Sequence, residues 1–384
     1  MTAALGVYFP YFSLYLKESL RFSGAQVGVA FAVPPLVGLA AQPFWGYVAD
    51  RTGARGRVLT LLSFGTACGY GLLTWPREFL PMMVAITGLS FFSTAQMPVA
   101  VAVSLAEIAR RPGVVPFGHV RVWGTLGFFV TVLGVPPLVK ALAVARGTTE
   151  QEQFQYAFVL AALLAFAASA IALSFPSLPA AQRTRMARGE QRLLLQNVPY
   201  LRVLLVIALA YGFLHGPMVL FPVYVRARGG DHATISYMWA VALSAETLLM
   251  FGSAALYARL GPKRMIAVGI FACGLRWLLC GVCADLRYVY PLQLTHAVMV
   301  TSLQVGAPIL VESLVPERLR ASGQSGLNLV GLSVGGVASS MLAGLLLDSA
   351  GIDAVMLLGG GAAIALGIAT PLLLPAAPSR ARPR

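Results

Sequence analysis

Twelve long apolar runs, of 19 to 27 residues each, constrain this chain more than any other feature. They cover residues 2–20, 24–48, 58–76, 79–105, 119–143, 154–175, 200–224, 233–257, 265–283, 288–314, 322–347 and 353–374. About 20 helical residues cross a hydrocarbon core of ~30 Å. Inside lipid, each spanning segment must satisfy its own backbone hydrogen bonds, which an α-helix does. The pattern therefore predicts an all-α membrane protein with twelve transmembrane helices. Composition closes off the soluble alternative. Only 11% of the 384 residues are charged and 58% are hydrophobic, whereas a soluble domain carries about 25% charged residues.

The formal net charge of +14 does not signify a nucleic-acid partner. The basic residues sit in short clusters between apolar runs and form no stripe along one face. Cys68, Cys273, Cys280 and Cys283 all fall inside apolar runs. Cys280 and Cys283 form a CxxC with no second pair, so the cysteines read as small buried hydrophobes, with no metal and no cofactor expected. The first apolar run reads as a retained helix, not a cleaved signal.

Most connections are short. The exception is the Arg-rich stretch 176–199, which contains Pro176, Pro179 and Pro199 and divides six runs from six. The expected organisation is an N-terminal six-helix bundle over 1–175, a cytoplasmic linker over 176–199, and a C-terminal six-helix bundle over 200–384 with a short basic tail. Lys and Arg set the orientation. With the N-terminus inside, 18 basic residues fall on the cytoplasmic side and 8 outside, while Arg121 and Arg276 lie within or at the edge of spans. This predicts a multi-pass protein of the cell inner membrane with both termini cytoplasmic.

The two halves share local sequence. GYVADRTGARGR follows the second run (Gly46 to Arg57) and AALYARLGPKR follows the eighth (Ala254 to Arg264). Arg51 and Arg259, Gly53 and Gly261, and Arg55 and Lys263 each stand 208 residues apart, and Phe9-Pro10 stands 212 from Phe221-Pro222. Equal spacing at separate places predicts a duplicated, pseudo-symmetric six-helix unit.

Gly46, Asp50, Arg51, Gly53 and Arg55 resemble the loop signature of the major facilitator superfamily. The resemblance implies a cytoplasmic gate in which the acid and the bases pair across helix ends, with glycine allowing close approach and a tight turn. The second copy has Ala258 where the acid belongs. GVYFPYFSLYL (6–16), QPFWGYVAD (42–50), FGHVRVWG (117–124) and YMWAVALSAE (237–246) look like the lactose-permease and phenylpropionic-acid-permease branch, whose members are proton symporters for sugars, nucleosides or aromatic acids.

Ionisable residues inside spans are costly and mark functional positions. Glu246, Arg276 and His296 fall on three consecutive spans at ~12–18 Å depth, counting 1.5 Å per residue. Burial disfavours the Glu246 anion and a nearby Arg276 favours it, so such a cluster can exchange partners when a proton or solute arrives. His296 is a candidate proton relay or solute hydrogen-bonder. The resemblance gives these three positions to the solute and proton site. It matches His215 to a histidine of the phenylpropionic-acid permeases and Arg121 to a solute-facing arginine. Gln42, Gln96, Asn328 and Tyr8 are further pathway candidates, and Tyr11 and Phe12 are candidates for stacking on an aromatic solute. Three charged groups of lactose permease are missing here: Met299 and Gln293 replace an acid and a lysine near the span-10 histidine, and Val101 and Val103 stand where a span-4 acid is expected.

The resulting expectation is a secondary active transporter, not an enzyme, that takes up a small organic solute (aromatic acid, sugar or nucleoside) together with protons by alternating access. Its partners are the solute, protons and the lipid bilayer, and it works as a monomer. The alternatives are a drug- or metabolite-exporting proton antiporter and, remotely, an intramembrane hydrolase using Ser333. The latter rests on Gly331-Leu332-Ser333-Val334-Gly335, which matches GxSxG but lacks the strand-turn-helix setting that signature needs. The same residues form a GxxxG helix-packing pattern.

Overall fold

A computed structural model describes residues 1–110, 117–175 and 192–375. Most of the expected linker and the basic tail lie outside the described residues. All regular elements among those described are helical. Helix α1 comprises Thr2–Tyr8, Phe12–Leu14 and a π-turn at Tyr15–Ser19. It is followed by α2 (Gly24–Thr52), α3 (Arg55–Leu72), α4 (Phe79–Arg110), α5 (Phe117–Arg146) and α6 (Gln155–Ala172). Next come α7 (Val198–Val219, continued by Phe221–Ala227), α8 and α9 (His232–Val282, divided at Gly261) and α10 (Leu286–Leu314). The last two are α11 (from Arg320) and α12 (to Leu373), which form one run divided at Gly351.

Nine helical segments among the described residues are long and apolar enough to span a membrane. One of the nine is Ser322–Leu373, which is α11 and α12 together. The two runs outside this set have local reasons: α1 is broken at Phe9–Tyr11, around Pro10, and α3 is 18 residues long with Arg55 and Arg57 in its first turn, which lowers its mean hydropathy. Large apolar side chains stand outward on many helices; Trp75, Phe251 and Leu372 are at least 77% exposed. In water such an exterior would aggregate, whereas in lipid it is the solvated face. Pro34, Pro35, Pro43, Pro98, Pro136 and Pro137 all lie inside helices, as membrane helices tolerate when neighbouring groups satisfy the freed carbonyls.

The turns carry the duplication. Gly53 (φ 64°) ends α2, and Gly261 (φ 70°) divides α8 from α9. Arg21 (φ 56°) lies between α1 and α2, and Gly229 (φ 80°) between α7 and α8, again 208 residues apart. Gly147 (φ 63°) and Gly351 (φ 80°) mark the last turn of each half. Helix α1 is interrupted at its Phe-Pro pair, and α7 is interrupted at Leu220, immediately before its own.

Two compact units emerge: Met1–Arg183 with Val225–Ala240, and Thr184–Tyr224 with Val241–Arg384. The first has an aromatic core in which Tyr8, Phe12, Tyr15, Phe154 and Phe158 pack ring on ring. A second cluster builds on Trp45, Leu59, Leu62, Val99 and Val103. In the second unit, Trp277, Met265, Ile266, Ile270, Leu310 and Met356 are fully buried. There small residues set helix spacing: a Cβ on Gly274 of α9 would fall 2.7 Å from the Ile364 backbone of α12. Such close approach is how helices associate where lipid gives no hydrophobic drive.

Candidate functional site

The second unit brings Glu246 (α8), Arg276 (α9) and His296 (α10) together, and adds three residues to them. Helix α10 is interrupted at Gln293–Leu294, where the His296 N–H donates to the Gln293 carbonyl at 3.1 Å. This tight turn puts the Gln293 and His296 side chains, three residues apart, on the face toward α9. Arg276 Nη1 lies 3.2 Å from His296 Nδ1, and Arg276 Nη2 donates to Gln293 Oε1. Gln293 is held in turn, its Nε2 donating to the Val289 carbonyl at 3.0 Å. His296 Nε2 faces Glu246 Oε2 at 3.8 Å.

Aromatic rings floor the guanidinium. Arg276 Cζ lies 4.1 Å from the Trp277 ring centroid and 5.4 Å from that of Phe221. The rings of Phe221 and Trp277 are 5.7 Å apart. A cation over such faces gains from the ring quadrupole, more so when desolvated. Arg276, Gln293 and His296 are all at most 3% exposed, while the Glu246 side chain keeps 19%.

This geometry fixes the imidazole. A guanidinium has only donors, so His296 Nδ1 must accept from Arg276. The ring is then neutral, and its single proton sits on Nε2, facing Glu246. A second proton on Nδ1 would set donor against donor beside a permanent cation. Glu246 is the member of the cluster that remains partly open.

Other candidates lie apart from this cluster. His215 on α7 faces α11, its Cδ2 3.6 Å from where a Cβ on Gly336 would stand. Gln96 is buried, its Nε2 donating to Ser63 Oγ at 2.9 Å. Tyr8 sits in the aromatic core against Phe12 and Tyr70, and Tyr11 and Phe12 are fully buried. Gln42 and Asn328 are exposed. The side chains of Arg121 and Asp50 lie outside the described residues. In the loop motif, Gly53 makes the turn and Arg51 Nη1 donates to the Tyr47 hydroxyl at 2.6 Å. Gly46 is not at a close approach: a Cβ there meets nothing within 4 Å.

Ser333 lies in a π-turn, Leu329–Gly335. Gly331 and Gly335 receive α7, where a Cβ on Gly331 would be 2.7 Å from Ile207. The GxSxG residues are helix packing.

A second cluster gathers in the first unit around Val225–Ala240. The Tyr11 hydroxyl donates to the Val132 carbonyl at 2.7 Å and meets Ser236 Oγ at 2.5 Å. Glu18 pairs with Arg226 at 2.9 Å. His232 Nδ1 lies 3.1 Å from Glu150 Oε2, with its ring stacked on Phe154.

Residues 1–357 match the MFS_1 like family. The chain belongs to that family. It is 30% identical over 360 residues to the maltose permease of Geobacillus stearothermophilus, covering 92% of this chain and 87% of that one. It is 23% identical over 305 residues to the probable 3-phenylpropionic acid transporter of Escherichia coli (strain K12), covering 76% and 74%. Among solved structures it resembles a point mutant of the nucleoside transporter NupG, with a TM-score of 0.87 and 16% identity over 97% of this chain and 96% of that one. That likeness speaks to the fold alone. The family members are small-molecule transporters, so this chain is a multi-pass membrane transporter and not an enzyme.

Proposed function

We propose that this transporter couples uptake of a neutral, polyhydroxylated solute of the saccharide class to an inward proton flow, by alternating access. The observation that carries this reading is the buried Gln293–Arg276–His296–Glu246 chain. It has one fixed positive charge and one negative charge that a proton can cancel. With Glu246 ionised the cluster is neutral overall. Protonating it removes the attraction to the imidazole Nε2–H and leaves the Arg276 charge unbalanced. A neutral solute with hydroxyl donors and acceptors can then bridge the loosened groups. The maltose permease relationship supports the saccharide class, since that relative spans nearly the whole chain. Positive-inside counting supports cytoplasmic termini, and the family fold supports a monomer as the working unit.

Purified protein in liposomes, given an inside-alkaline gradient, is expected to accumulate maltose or a related sugar. Accumulation should cease when a protonophore is added. Uptake that ignores the gradient, together with wild-type behaviour of Glu246→Gln, would overturn the coupling scheme. Accumulation of 3-phenylpropionate and of no sugar would overturn the solute class and leave the coupling scheme standing.

A further inference from the structure

Between α3 and α6, both within the first unit, lies a crevice of about 360 Å³ that the transport reading does not use. Its walls are Leu61 and Phe64 on one side and Phe166, Ala170 and Leu173 on the other. These positions recur at helical spacing on two antiparallel helices, so the crevice runs along the helix axes. Its polar groups gather toward one end. Arg57 stands in the first turn of α3, with Thr60 one turn further, and Ser169 Oγ of α6 donates to the Thr60 carbonyl at 2.9 Å. Seven residues separate Arg57 from Phe64, about 10 Å along a helix. Arg57 is exposed, and among the described residues no carboxylate or carbonyl accepts from it.

We infer that this crevice binds one anionic glycerophospholipid of the leaflet on the side of the Arg51–Arg57 loop. The Arg57 guanidinium matches the headgroup phosphate, and a guanidinium forks onto phosphate oxygens in a way the choline of a zwitterionic lipid opposes. The Thr60 and Ser169 hydroxyls face the glycerol region. The apolar walls receive the first ~10 Å of an acyl chain, a length set by the helix rise. Basic pockets between helices on the cytoplasmic side bind such headgroups elsewhere. The leaflet assignment rests on the proposed orientation; the binding itself depends on nothing in the proposed coupling or solute class.

The test is native mass spectrometry of the full-length protein in detergent, titrated separately with phosphatidylglycerol and phosphatidylcholine of identical chains. One phosphatidylglycerol adduct is expected to persist about fivefold more strongly than the phosphatidylcholine adduct, the effect of one basic side chain at an anionic surface. The preference should vanish in Arg57→Gln, a change at an exposed position that leaves packing intact. It should persist in Arg259→Gln, a basic residue that does not line the crevice. Ala170→Phe, which fills the crevice, should lose the adduct while keeping its melting temperature. Equal retention of the two lipids, an undiminished preference in Arg57→Gln, or an equal loss in Arg259→Gln overturns the proposal. Displacement of the adduct by glycerol 3-phosphate alone also overturns it, by making the site one for a soluble phosphate.

Discussion

At the residue scale, one side chain controls the others in the buried cluster. Arg276 can only donate, so it fixes the tautomer of His296, and that tautomer turns its remaining N–H toward Glu246. Glu246→Gln should abolish gradient-driven accumulation while keeping solute exchange across the membrane, because the amide cannot cycle a proton. Counterflow measured beside active uptake separates the two, and loss of both would show Glu246 to be a structural partner. Gln293 is the less obvious member. From sequence, the resemblance to lactose permease marked it only as a departure. The structure shows it accepting from Arg276. Gln293→Leu leaves a buried guanidinium N–H without an acceptor, at about 1–3 kcal/mol. A lower melting temperature is expected, with a greater loss of uptake than in Gln293→Glu. Equal stability of the leucine variant and the wild type would remove Gln293 from the cluster.

At the element scale, the turns decide how each helix enters the membrane. Gly53 and Gly261 both take positive φ at equivalent places in the two halves, Gly53 in the left-handed helical region (ψ -3°) and Gly261 with extended ψ (164°); a Cβ in the left-handed helical region costs about 1–2 kcal/mol. Arg21 takes positive φ without being glycine. Gly53→Ala should therefore destabilise by about 1 kcal/mol, and Arg21→Gly should stabilise by up to about 1 kcal/mol; paired thermal melts in one detergent read both signs. Asp231 caps α8, its carboxylate accepting from the Thr234 N–H and hydroxyl at 2.7 Å each. Burial pushes this carboxyl up, but those hydrogen bonds and nearby His232 outweigh it and hold its pKa below the ordinary value. The cap therefore stabilises the fold above the ordinary carboxylate range, and its contribution falls away as acid titrates through the lowered pKa. Asp231→Ala should cost about 1 kcal/mol near neutral pH and much less once the pH is below that lowered value. The Phe9-Pro10 and Phe221-Pro222 pairs were legible in the sequence as repeat markers. What they do was not legible: the break in α7 delivers Phe221 beneath Arg276, and nothing local to residue 221 names a partner 55 positions away.

At the scale of the whole molecule, the proposed cycle moves one proton charge with each neutral solute. Uptake should therefore be electrogenic, driven by an inside-negative potential even without a pH difference; a potassium–valinomycin potential that fails to drive uptake would remove the neutral-solute scheme. The segment Val225–Ala240 belongs with the first unit, held there by Tyr11–Ser236, Glu18–Arg226 and Glu150–His232. The Glu18–Arg226 pair is partly exposed and worth up to about 1 kcal/mol. Glu18→Arg should lower the melting temperature, and adding Arg226→Glu should restore part of it.

The sequence alone determined the membrane setting, the all-helical class, the duplication and the family, because each rests on properties spread along the chain: run length, charge scarcity and spacing. It also singled out Glu246, Arg276 and His296, since a charged group in an apolar span is conspicuous at any register. Tertiary structure decided which groups meet. The neutral imidazole, the Gln293 acceptor, the Trp277 and Phe221 floor, the enclosure of Tyr8 in a core and the attachment of residues 225–240 to the first unit all depend on directions in space. Those directions follow from helix rotation, breaks and close glycine contacts, which a linear pattern of apolar residues leaves open when every face of a helix is apolar.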